Sequence, residues 1–84
     1  MTAYEVRFAA SAAKEFRSLP PELKGRVKEA VDRLKENPRP AGVKKLKGVD
    51  LYRIRVGSYR VVYEIDDKKV MILVTRVRHR REAY

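Results

Sequence analysis

The sequence predicts an α+β fold of element order β-α-α-β-β-β, with a helical hairpin packed on one face of a small, largely antiparallel twisted sheet. Three observations predict it. Apolar and polar residues alternate on both sides of Gly57-Ser58, apolar residues recur at helical spacing from Leu23 to Leu34, and a short apolar run spans Val70 to Val74. At 84 residues the chain fits one domain, residues 1–84, whose core leaves no room for a deep cleft, so any active site lies on the surface.

Tyr4 to Phe8 alternates Tyr4, Val6 and Phe8 with Glu5 and Arg7, as in a strand with one buried face. From Ala9 to Leu19 the period changes, with Ala12, Phe16 and Leu19 on one side of a short helix and Ser11 placed to cap its start. Pro20-Pro21 ends that helix and opens the next, because proline suits a first turn and not an interior. Leu23, Val27, Ala30, Val31 and Leu34 give the second helix, Glu22 to Asn37, an apolar stripe for the core. Pro38 and Pro40 stop it, and Ala41 to Gly48 reads as a lysine-rich loop, anchored by Leu46, with Lys44, Lys45 and Lys47 in solvent.

Leu51 to Ile65 reads as two strands joined by a two-residue turn at Gly57-Ser58, which sets Val56 opposite Tyr59, Arg55 opposite Arg60 and Arg53 opposite Val62. Tyr52, Ile54, Val56, Tyr59, Val61, Tyr63 and Ile65 then share a core face, and Arg53, Arg55 and Arg60 share the other. Like charges directly opposite across a strand pair are unfavourable unless an anion sits between them, which points to a phosphate site. The alternation alone fits arginines on the wet face of a half-buried sheet equally well. A turn over Asp66 to Lys69 leads into a last strand, Val70 to Val77, and further along it Arg76, Arg78 and Arg80 share one parity.

The chain carries 21 Lys and Arg against 11 Asp and Glu, a formal charge of +10. Such an excess favours a polyanionic partner, nucleic acid first. The segment 41–49 holds three lysines and no acid, the densest stretch of charge. Absence of cysteine excludes a disulfide framework, a thiol nucleophile and Cys-ligated zinc. No apolar run is long enough to span a bilayer, so no membrane association and a cytoplasmic location are expected.

The acids are scattered along helices and turns, which argues against a metal site, and Ser11, Ser18 and Ser58 stand in no nucleophile context. Cleavage of RNA without metal or other cofactor remains open to these residues. The ribose 2′-OH is itself a nucleophile, and guanidinium groups can bind the phosphorane through paired hydrogen bonds. For proton transfer the choice lies between Tyr84, whose neighbours Arg78, Arg80 and Arg81 favour phenolate, and His79, which strand parity sets opposite to Arg78 and Arg80.

The segments KLKG (45–48), LYRIRVGSYRVVYEI (51–65) and VRHRREAY (77–84), behind a strand and a helical hairpin, resemble the RelE-type toxins of the RelE/ParE toxin-antitoxin superfamily. The resemblance covers nearly the whole chain. It implies a metal-free mRNA endonuclease acting in the ribosomal A site and leaving a 2′,3′-cyclic phosphate and a 5′-OH. It also implies a cognate antitoxin that wraps the toxin, with a toxin-antitoxin heterotetramer as one assembly. Carried over by motif, the catalytic set is Arg53, Arg55, Arg60, Arg80 and Tyr84, with Arg53 and Arg55 standing where some members have lysine. Lys44, Lys45, Lys47, Arg76, Arg78, His79 and Arg81 are then expected to contact mRNA or ribosomal RNA. Two other readings stand beside it: a ParE-like inhibitor of DNA gyrase without RNase activity, which shares the scaffold, and a passive RNA-binding module.

Overall fold

The computed structural model describes residues 3–79 and 81. Its elements are β1 (Glu5–Phe8), α1 (Ala10–Arg17), α2 (Pro21–Glu36), β2 (Lys44–Lys45), β3 (Tyr52–Val56), β4 (Tyr59–Asp66) and β5 (Met71–His79). The strands form one sheet of order β1-β5-β4-β3-β2, antiparallel throughout except for the β1–β5 pair. Both helices pack on one face: α1 on β5 and β1, and α2 across the sheet from β1 to β3. The fold class and the order β-α-α-β-β-β are as the sequence predicts, with one addition. Lys44 and Lys45, expected in a loop, pair with Arg53 and Tyr52 as a two-residue edge strand. A short, charged edge of this kind resists pairing with another chain.

The core lies between the helices and the sheet. Ala12, Leu19, Val27, Val31 and Leu34 from the helical layer meet Ile54, Val56, Val61, Tyr63, Ile72, Val74 and Val77 from the strands. Of the hairpin's predicted core face, Tyr52, Tyr59 and Ile65 are half-buried and pack against this cluster. Phe8 and Phe16 meet at 5.6 Å between ring centroids, tying β1 to α1. Buried at its centre, Tyr63 donates its hydroxyl to the Pro38 carbonyl oxygen at 2.7 Å and so holds the end of α2 to β4. Burial pushes this phenol up to about 12. Outside the core, Asp67 accepts from the Tyr4 hydroxyl (2.7 Å) and from Arg39 Nη2 (3.1 Å), fastening the β4–β5 turn to the N-terminal strand and to the loop after α2. Arg39 first, then Tyr4, holds the Asp67 carboxyl below its ordinary value, while the same bond raises the Tyr4 phenol.

Two local expectations change. Ala9 is the N-cap of α1, with no side-chain cap, and Ser11 lies inside the helix with its hydroxyl 3.5 Å from the Thr75 carbonyl oxygen. Val43, not Leu46, packs the 41–48 segment against the core; Leu46 donates its N–H to the Leu51 carbonyl oxygen at 2.8 Å, closing the approach to β3.

The largest departure from simple alternation lies in β5. Val62 pairs with Arg76 but Tyr63 pairs with Val74, so Thr75 is an extra residue, a β-bulge, and its hydroxyl donates to the Val62 carbonyl oxygen at 3.2 Å. Ile72 and Val74 face the helices before the bulge, and Val77 does so after it. An unbroken strand would have sent Arg76 and Arg78 to the same side as Ile72 and Val74, into the core. The inserted residue turns them to the opposite face.

Candidate RNA-cleavage platform

The β3–β4 register is the one the two-residue turn requires: Val56 opposite Tyr59, Arg55 opposite Arg60, and Arg53 opposite Val62. Gly57 supplies the positive φ (60°) that the turn needs. On β5, past the bulge, Arg78 stands opposite Arg60 and Arg76 opposite Val62; at the other edge Lys44 stands opposite Arg53. Directly opposed residues share a face. The face turned away from the helices therefore carries two cross-strand rows, Arg55–Arg60–Arg78 and Lys44–Arg53–Val62–Arg76.

Within these rows the environments differ. Arg55 is exposed and Arg60 half-buried, with Arg60 Nε buried and making no hydrogen bond among the described residues. An unsatisfied buried donor costs about 1–3 kcal/mol. Arg53, expected on the wet face, is only 7 % exposed, because β2 flanks it on one side and β4 on the other. Val62 is 1 % exposed yet lies outside the helix-side core, an apolar floor beneath the cations.

Glu15 of α1, which the sequence reading counted among the scattered acids, reaches the end of β5. Its carboxylate accepts from the Val77 N–H (2.9 Å) and from Arg78 Nε (2.7 Å), and lies 3.7 Å from Arg76 Nη1. Arg78 and Arg76 are thereby anchored at the rim of the platform. No local signal links Glu15 to β5, because the contact spans more than 60 residues of chain.

The other expected RNA contacts lie elsewhere. Lys45 shares the side of Tyr52 and pairs with Asp50 at 3.7 Å, and Lys47 is exposed in the turn before β3. His79 stands opposite Tyr59, with which it makes an edge-on ring contact at 5.3 Å, on the side of the sheet away from Arg60 and Arg78. Its Nδ1 accepts from the N–H of the exposed Arg81 at 3.2 Å. Arg80 and Tyr84 fall outside the described residues. Among the described residues no three His, Asp or Glu side chains gather as a metal site, and no helix is long and apolar enough to cross a membrane.

Comparison with known proteins agrees with this architecture. The chain is 37 % identical over 87 residues to the mRNA interferase toxin RelE of Escherichia coli, an alignment covering 98 % of this chain and 90 % of that protein. It is 34 % identical over 85 residues to toxin RelG of Mycobacterium tuberculosis, covering 96 % and 95 % respectively. The toxin of the archaeal RelE–RelB complex from Pyrococcus horikoshii superposes with a TM-score of 0.84 at 36 % identity, over 99 % of this chain and all of that one. Residues 6–84 match the family described as the ParE toxin of type II toxin-antitoxin systems. With that match and these relatives, the chain belongs to the RelE/ParE superfamily of type II toxin-antitoxin toxins.

Proposed function

We propose that this chain is a ribosome-dependent, metal-free endoribonuclease that inhibits translation by cleaving mRNA in the A site. The observation that carries the reading is the row Arg55–Arg60–Arg78, three guanidinium residues directly opposed across three strands. Glu15 balances Arg78, but the directly opposed Arg55 and Arg60 work against the fold unless a polyanion lies between them.

In this reading the 2′-OH loses its proton and attacks the adjacent phosphorus, and the resulting phosphorane carries added charge on its equatorial oxygens. Arg55 and Arg60, with the buried Arg53 beside them, neutralise that charge as it develops. The P–O5′ bond then breaks, leaving a 2′,3′-cyclic phosphate, and the departing oxygen takes up a proton as a 5′-OH. Arginine keeps its charge near neutral pH and supplies electrostatics alone, so proton transfer falls to another group. By family resemblance Arg80 and Tyr84 complete the set. Tyr84 is preferred to His79 as the proton-transfer group because His79 stands on the side of the sheet away from Arg60.

The cellular partner of such a toxin is a cognate antitoxin, as in the solved RelE–RelB complexes of relatives, and the site of action is the cytoplasm, where ribosomes translate. The test is end-mapping of mRNA on purified translating ribosomes with the parent chain and with Arg60→Ala. Cleavage is expected to disappear in the variant while its circular dichroism stays native. Undiminished cleavage by the folded variant would remove Arg60 and the proposed platform from the reaction.

A second reading, a ParE-like inhibitor of DNA gyrase, is favoured by the description of the matching family. Double-strand DNA breaks with intact mRNA after induction would select it.

A further inference from the structure

We infer that the open edge of β3 forms, with α2, a second cationic groove that holds the phosphodiester backbone of RNA outside the platform. β2 pairs only with Tyr52 and Arg53, so the outer edge of β3 is uncovered from Ile54 onward. A concavity of about 430 Å³ opens there, lined by the consecutive residues Arg53, Ile54 and Arg55 and walled by Ala30 and Arg33 of α2 and by Lys44. Consecutive strand residues alternate between faces, so the wall they make is the strand's edge and not either face. No carboxylate lines the cavity.

Several cations elsewhere in the chain are neutralised by an acid, and three at the groove, among the described residues, are not. Arg7 pairs with Glu5, Lys35 with Asp32, Arg39 with Asp67, Lys45 with Asp50, and Arg76 and Arg78 with Glu15. Arg33, Lys44 and Arg55 form no ion pair among the described residues, although Glu29 stands one turn before Arg33. Beyond the groove, the same side of α2 carries a further cation. Arg26, Ala30 and Arg33 recur at spacings of four and three on one side of α2. Arg26 reaches the hairpin turn, where its Nη1 lies 3.3 Å from the position a Cβ on Gly57 would take.

Arg26 and Arg33 are two helical turns apart, roughly 10 Å along the axis, a span suited to an extended backbone more than to a single anion. Arg53 and Arg55 belong to both the groove and the platform, so one strand of RNA can run from one to the other. The inference extends the RNA-cleavage reading and names Arg33 and Arg26 as backbone-holding residues apart from the reaction. The RNA in question is either mRNA flanking the scissile bond or ribosomal RNA of the A site.

The test measures binding, not cleavage. A short 2′-O-methyl oligoribonucleotide, which lacks the nucleophile, and vacant ribosomes are titrated against salt with the parent, Arg33→Gln, the double variant Arg26→Gln/Arg33→Gln, and Arg17→Gln as a charge-matched control on an exposed part of α1. For Arg33→Gln the slope of log K against log salt on the oligonucleotide is expected to become shallower by about 0.7, with the double variant losing about twice that. Weakening on the oligonucleotide assigns the groove to mRNA, and weakening on vacant ribosomes alone assigns it to ribosomal RNA. Either result supports the inference. Arg33→Gln and the double variant behaving as Arg17→Gln on both probes overturns it, whatever Arg60→Ala does to cleavage. Cleavage surviving in Arg60→Ala would remove Arg60 from the reaction and leave the groove standing.

Discussion

The carboxylate of Glu15 holds Nε of Arg78 at 2.7 Å, joining the first helix to the last strand at the rim of the cationic face. The same carboxylate accepts the Val77 N–H, so one acid fixes both the backbone and a side chain at the end of β5. Glu15→Gln keeps an acceptor for that N–H and removes the charge; Glu15→Ala removes both. The alanine variant is expected to lose about 1–3 kcal/mol and the glutamine variant less, in urea unfolding. Equal losses would show that the ion pairs with Arg76 and Arg78, and not the backbone bond, carry the contact.

Arg55 opposite Arg60 is a conflict that the isolated fold would be better without. Arg55→Glu converts it to an attractive cross-strand pair, and the variant is expected to gain about 0.2–1 kcal/mol in stability while losing mRNA cleavage on ribosomes. Thermal unfolding read beside a cleavage assay checks both halves. A variant that is less stable than the parent would mean the two guanidinium groups are not in each other's way.

Tyr63 ties stability to alkaline pH. Its phenol ionises near the ordinary 10.0 in the unfolded chain and is pushed up to about 12 in the folded one. Between those values the folded state retains a proton that the unfolded state has released, so this contribution is complete below pH 10 and is lost as pH rises toward 12. Tyr63→Phe is expected to cost about 1 kcal/mol at neutral pH by leaving the Pro38 carbonyl without its donor, and to flatten the decline above pH 10. Denaturant melts across pH 8 to 12 measure both effects. Parallel declines in parent and variant would mean other groups set the alkaline limb.

The hairpin was legible because its signals are local: a two-residue turn and strict alternation determine which residues oppose which, and Arg55 and Arg60 followed from counting outward from Gly57. The helices were legible from their apolar periodicity and the prolines between them. What escaped was set by contacts between distant parts of the chain. Glu15 reads as one more helix-surface acid until α1 is laid against β5. Arg39, Asp67 and Tyr4 come together from three separate segments. The burial of Arg53 depends on β2, a strand too short to leave a pattern of its own.

The bulge at Thr75 shows how little chain separates a working surface from a broken core. Upstream of it, the side facing the helices is read on even-numbered residues; downstream, on odd-numbered ones. The spelling of β5 therefore carries one odd letter, Thr75, that only a bulge can accommodate with the arginines outside the core. Flattening the strand with Thr75 still in it would send two arginines under the helices and bring Val77 out to the water, whereas removing Thr75 would restore plain alternation with Val74 and Val77 both facing inward.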